Sequence, residues 1–390
     1  MTKAHGTYDP AFSGLAELLG KLAEDGSEVG ASVSVWHGSD NLVEIWAGYA
    51  DPEKSRTWNQ DTIANVFSST KTICALAILM LHDRGLLSVF DPVAKYWPEF
   101  AANGKEDVLI THLMSHTSGV AGWEEPITLE QVYDTPYATA KLAEQKPWWT
   151  PGTASGYHAQ NQGQLLGEVV RRVSGKSLKE FVRTEIAEPL RADVQVGALE
   201  KDWHRCAEMI PPVFPPGGPP QLDPNGLPFR VMMNPPLDAS HANTPGWRLA
   251  ELGAINGHSN AQGLAKALHV ISNRGKTPDG RQFLKKETVN LIFQTQAEGT
   301  DLILDVPFRM GIGFGWSNDG AIGSIPFMPK GKVAFWGGWG GSICVLDVDN
   351  NVTVTYVMNK MGTGTLGNER TAQYVVEAYE SLKEKGILKP

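Results

Sequence analysis

The segment VFSSTKTICALAILMLHDRG, residues 66–85, constrains this chain more than any other. Ile73, Ala75, Leu76, Ile78, Leu79 and Leu81 are apolar all round at helical spacing, so the helix they form belongs in a core. Gly85 provides a natural stop. At the head of the segment Ser68 and Lys71 stand three apart and share one helix face, which carries a hydroxyl and an amine into a desolvated place. Desolvation and the positive helix terminus both disfavour an ammonium, so Lys71 can accept the Ser68 proton, while N–H groups at that terminus can stabilise an oxyanion. The plainer alternative is a capping serine followed by a solvated lysine. A solvated lysine, however, more often opens an amphipathic helix than one apolar on every side.

With 390 residues the chain is long enough for a large core and an enclosed cleft. Hydrophobic residues make up 42%, charged ones 20%, and the formal net charge is -9, without the basic surplus of a nucleic-acid binder. Cys74, Cys206 and Cys344 are widely separated and form no CxxC pair, which argues against a disulfide framework or a thiolate zinc site. The start MTKAHGTYDPAFSG lacks a basic-then-apolar leader, and the longest apolar run, Ile73 to Leu81, is too short to span a bilayer. A cytoplasmic protein with no membrane partner is expected.

Leu15, Leu18, Leu19 and Leu22 mark a helix over 11–22, followed by paired strands over 31–36 and 43–49. Near the other end, strands are expected at 310–316, 333–336, 343–348 and 352–358, with an amphipathic helix over 371–385. The middle reads as mainly helical. It is interrupted by PPVFPPGGPPQLDPNGLPF, residues 211–229, a long irregular excursion that is either plain surface or a wall over a cleft.

Ser68-Ser69-Thr70-Lys71 with its buried helix, then LLSVFDPVAKYWPEF, then THLMSHTSG, resembles the serine β-lactamase and penicillin-binding-protein superfamily. The look is nearest to class C β-lactamases and family VIII carboxylesterases, and it extends from the hairpin near Ala31 to the strands near Val352. The resemblance implies an α/β fold of β-lactamase type. An antiparallel sheet would be built from residues 1–66 and 300–390, flanked by terminal helices. A large, mainly helical insertion over 67–299 would leave the active site at the junction.

It also implies partners for Ser68 and Lys71. In PGTASGYHAQNQGQLLGEVV, Tyr157 takes the place of the family's tyrosine, working with Lys71 as general base and later as proton donor to the leaving group. The family's Tyr-x-Asn becomes Tyr157-His158-Ala159, which puts lactam specificity in doubt and leaves His158 as a substrate contact. In KVAFWGGWGGSICVLDV, Trp336-Gly337-Gly338 stands where the family has Lys-Thr-Gly. The glycines allow close approach to substrate, and the N–H of Trp339 joins that of Ser68 in an oxyanion hole. Trp336 removes a cation that would attract a β-lactam or peptide carboxylate and offers an aromatic wall to neutral acyl groups. Trp148, Trp149, Trp336 and Trp339 together suggest an aromatic-lined pocket.

Two other patterns compete. GHSNA puts Ser259 in a near GxSxG elbow, but the only later histidine, His269, is too close for the strand and acid of an α/β-hydrolase. His112 and His116 are four apart, with no glutamate between them and no third ligand, and read as structural. The expected protein is therefore a serine carboxylesterase acting on a small-molecule ester, with no metal or cofactor. An acyltransferase of secondary metabolism, or a weak β-lactamase or D-amino-acid peptidase, would use the same acyl-enzyme.

Overall fold

The computed structural model describes residues 3–319 and 325–388; the extreme residues of the expected sheet segments, and 320–324 within them, lie outside the described ones. Strands β1 (His5–Tyr8), β2 (Gly30–His37) and β3 (Asp40–Gly48) come from the start of the chain. Three short strands follow, β4 (Ala64–Asn65), β5 (Val194–Val196) and β6 (Gly257–Ser259). The last group is β7 (Ala297–Thr300), β8 (Pro307–Met310), β9 (Gly315–Asp319), β10 (Lys330–Gly337), β11 (Ile343–Asp347) and β12 (Val352–Met358). Nine of these form one antiparallel sheet in the order β1-β3-β2-β12-β11-β10-β9-β8-β7, so the two ends of the chain meet where β2 pairs with β12.

The two-residue period of the strands sorts side chains between two faces. On one face Tyr356 stacks on Tyr374 of the C-terminal helix Glu369–Glu384, which packs with the first helix, Ser13–Glu24. On the other, Ser32, Ser34, Thr353 and Thr355 bond the helix Ala261–Ser272 and its first residues. Beyond that helix lies the helical part, with the helix Thr70–Asp83 at its centre. Every residue from Thr70 to Leu81 is buried, as an all-round apolar helix requires.

The structure departs from the sequence reading in four places. The strand expected over 310–316 is two strands, because Gly313, with φ +86°, turns the chain between Met310 and Gly315. The edge strands β1 and β7 carry little apolar alternation and gave no period to read. Ala64 and Asn65 pair with β6 in a small second sheet, β4-β6-β5, rather than with the main one. The proline-rich segment ends in a short helix, Leu227–Met232, whose Pro228 sits in the first turn where a missing N–H costs nothing.

Candidate active site

The chain reaches Ser68 through a strained residue: Phe67 has φ +43°, in the left-handed region that a bulky side chain seldom occupies. Its conformation is held by Thr70, whose Oγ1 donates to the Phe67 carbonyl and accepts the N–H of Gly257 at 2.7 Å. The helix begins at Thr70, so Ser68 lies just before its N-cap and its Oγ makes no capping bond. This disposes of the capping reading of Ser68.

Lys71, in the first helical turn, is 2% exposed. Its Nζ lies 3.2 Å from Ser68 Oγ, 2.8 Å from the carbonyl of Ala159 and 3.1 Å from that of Ala254. Burial pushes its pKa well below the ordinary lysine range. In its neutral form the amine has two protons and one lone pair; with the two carbonyls taking the protons, the lone pair would face the Ser68 hydroxyl.

Tyr157 Oη lies 2.7 Å from Ser68 Oγ and donates to it. Burial raises the pKa of this phenol above its usual value, against the smaller opposing effect of its bond to Ser68, so it stays protonated. Lys71 Nζ stands over the Tyr157 ring, 4.8 Å from its centroid. Residues 155–158 belong to no helix or strand, and groups from outside take up the N–H donors of Gly156, Tyr157 and His158. The carbonyl of His116 accepts from Gly156, Asp301 Oδ1 from Tyr157, and His116 Nδ1 from His158. His116 itself has φ +62°, and its ring lies edge-on to Tyr157 at 5.0 Å.

The end of β10 runs against the segment that leads into Ser68. A Cβ on Gly338 would lie 2.2 Å from the carbonyl oxygen of Val66 and 2.4 Å from Ser342 Oγ, so only glycine permits this contact. Ser342 Oγ ties the two segments together, donating to the Val66 carbonyl at 2.9 Å and meeting Ser69 Oγ at 2.9 Å. The Trp339 ring packs edge-on to Phe67 at 5.3 Å. The N–H groups of Ser68 and Trp339 have no acceptor among the described residues, while those of Gly338, Gly340 and Ser69 are all bonded.

Two of the expected substrate contacts are placed differently. His158 is fully buried, with Nδ1 2.6 Å from the Gly156 carbonyl and Nε2 2.6 Å from Ser118 Oγ. Both nitrogens are engaged and burial lowers the ring's pKa to about 4, so it braces the loop under Tyr157 as a neutral ring. Trp336 is 2% exposed and packs against Tyr157, His116 and Phe308, supporting the tyrosine from behind rather than standing open as a wall. Its Nε1 leans toward the Tyr157 phenol, helping to hold down its pKa, without completing a hydrogen bond. Gly337 backs onto Leu366.

Ser259 lies away from this constellation in β6, fully buried, its Oγ donating to the carbonyls of Asp193 and Asn260. His269 is bonded to Thr353 and Gly38. His112 accepts the Leu109 N–H at a helix start, and no group of three or more His, Cys, Asp or Glu among the described residues is arranged to hold a metal ion. No described helix is long and apolar enough to cross a membrane. Three participants escaped the sequence reading: Asp301, whose segment carries no motif, and the carbonyls of Ala159 and Ala254, which any residue type could supply.

This fold is that of the esterase and beta-lactamase hydrolases, and the chain belongs to the Beta-lactamase family, whose sequence model matches residues 15–378. It is 30% identical over 377 residues to the esterase/beta-lactamase LipL of Mycobacterium tuberculosis, covering 92% of this chain and 83% of that protein. A family VIII carboxylesterase of known structure superposes with a TM-score of 0.90 at 33% identity, covering 97% of this chain and all of the other. A penicillin-binding-protein homologue from Caulobacter crescentus superposes with a TM-score of 0.87 at 30% identity over 98% of this chain and 100% of that one.

Proposed function

We propose that this chain is a serine carboxylesterase that cleaves small-molecule esters through an acyl-enzyme on Ser68. The observation that carries the reading is the threefold setting of Lys71 Nζ, with two carbonyl acceptors and the Ser68 hydroxyl around one buried amine. Lys71 takes the proton of Ser68 as Oγ attacks the ester carbonyl. The carbonyl oxygen becomes an oxyanion that the free N–H groups of Ser68 and Trp339 stabilise. As the C–O bond of the ester breaks, Tyr157 gives its proton to the departing alkoxide and regains one from Lys71. Water then adds to the acyl-enzyme by the same path in reverse, releasing the acid and restoring Ser68.

The choice of esters over lactams or peptides draws support from Trp336, which stands in place of a carboxylate-attracting lysine, and from His158-Ala159, which leaves no asparagine amide at that point of the motif. The names of LipL and of the family VIII carboxylesterase agree with it. The three buried free cysteines suit a reducing, cytoplasmic location. Comparing turnover of p-nitrophenyl butyrate with that of a cephalosporin under the same conditions tests the substrate class. Fast ester release with slow lactam opening is expected; lactam opening as fast as ester cleavage would reject the assignment.

A further inference from the structure

Tyr157 is held in register by a carboxylate from the opposite part of the fold. Asp301 lies just past β7, in the turn that leads to β8, at the edge of the main sheet. Its own N–H donates to the Val306 carbonyl and its carbonyl accepts the N–H of Asp305, which closes the turn on itself. The side chain, 3% exposed, reaches across to the loop that carries Tyr157. Oδ1 accepts the N–H of Tyr157 at 3.1 Å together with those of Ile303 at 2.9 Å and Leu304 at 3.0 Å. Oδ2 accepts the hydroxyl of Ser155 at 2.7 Å, and the backbone adds a bond from Leu302 N–H to the Ser155 carbonyl at 2.8 Å.

Four donors surround this one buried carboxylate, three on Oδ1 and one on Oδ2. The loop has no ladder or helix of its own to fix its backbone, and a phenol placed at the end of a long side chain magnifies any tilt at its Cα. We infer that Asp301 is a positioning residue for the proposed reaction, setting the backbone of Tyr157 so that its Oη stays within hydrogen-bond reach of Ser68. The inference rests on the reading of Ser68, Lys71 and Tyr157 as the reacting groups. Asp301 bonds none of the reacting side-chain atoms, so its effect on the reaction passes through the loop that carries Tyr157. That gives it a signature that a merely stabilising residue lacks.

The experiment is a double-mutant cycle on ester hydrolysis, with kcat and KM measured for the parent, Asp301→Ala, Tyr157→Phe and the double variant, and the folded fraction of each checked by circular dichroism. Asp301→Ala is expected to lower kcat by about tenfold to a hundredfold with little change in KM, since a misplacement of about 1 Å at a reacting group has that order of effect. In the Tyr157→Phe background the same change should cost almost nothing further. Asp301→Asn, which keeps an oxygen for the three N–H donors, should recover most of the activity. It also serves as the test variant, together with Ser155→Ala, if the alanine protein does not fold; Ser155→Ala should then lower kcat in the parent but not in Tyr157→Phe. Full additivity of the two changes, or a lower melting temperature with parental kcat, would overturn the positioning role while leaving Tyr157 in place. Parental kcat in Tyr157→Phe alone would overturn both the role of the tyrosine and the inference built on it.

Discussion

Lys71 Nζ lies 3.2 Å from Ser68 Oγ while it donates to the carbonyls of Ala159 and Ala254 at 2.8 and 3.1 Å. Because the buried amine must be neutral to accept a proton, activity should follow its titration. kcat/KM for an ester is expected to rise with pH through a single proton loss at a value well below that of an ordinary lysine, then level off. His158, with its pKa lowered to about 4, and His116, held lower than an ordinary histidine by burial, stay neutral and do not contribute that limb. Lys71→Ala should cost on the order of 10²-fold or more in kcat. A pH–rate profile settles the point: a limb that survives in Lys71→Ala belongs to another group.

The same titration has a stability side. Between the depressed folded pKa of Lys71 and the ordinary lysine range, the unfolded chain binds a proton that the folded one does not, so stability should rise with pH across that window. Urea unfolding at several pH values should show a smaller positive slope in Lys71→Met than in the parent.

Gly338 sets how closely β10 approaches the serine. Gly338→Ala would put a methyl 2.2 Å from the Val66 carbonyl, so the strand end must withdraw and carry the Trp339 N–H with it. Loss of one oxyanion donor costs about 10²–10³-fold in kcat. A fall of that order in ester turnover, with the far-ultraviolet circular dichroism unchanged, is expected; parental kcat would remove Trp339 from the oxyanion hole.

A fourth prediction concerns the closure of the sheet domain. Glu28, 1% exposed, accepts from Arg370 on the C-terminal helix at 2.6 Å and from Tyr356 on β12, while Arg370 also donates to the carbonyls of Ser27 and Lys360. Glu28→Ala leaves the partly buried Arg370 guanidinium without its carboxylate partner and should lower stability by about 2–3 kcal/mol. kcat of the protein that remains folded should match the parent, because the pair lies on the face opposite the site. Chemical denaturation followed alongside ester turnover separates the two effects.

Ser68 and Lys71 were legible because their spacing and an all-round apolar helix act locally, and a helix that cannot face water must carry its first turn inward. The central strands of the sheet were legible for the same reason, since β2, β11 and β12 are apolar enough to demand burial. Tyr157 and Trp339 came only with the order of motifs, because nothing local marks a loop tyrosine or a free N–H. The orientations of His158 and Trp336 depend on which neighbours, Ser118 or Tyr157 and Phe308, fold against them from distant parts of the chain. Asp301 illustrates the limit most clearly: its partners lie about 145 positions away, and no pattern in its own segment announces them.

The central claim is that Ser68 is the nucleophile, and intact-protein mass spectrometry tests it most directly. The parent, Ser68→Ala and Ser259→Ala are each mixed with a fluorophosphonate, and with p-nitrophenyl butyrate while p-nitrophenol release is followed. A single adduct mapping to Ser68 in the parent and in Ser259→Ala, with steady release from both and neither adduct nor release in Ser68→Ala, is the expected result. An adduct that persists in Ser68→Ala, or turnover lost only in Ser259→Ala, would contradict it.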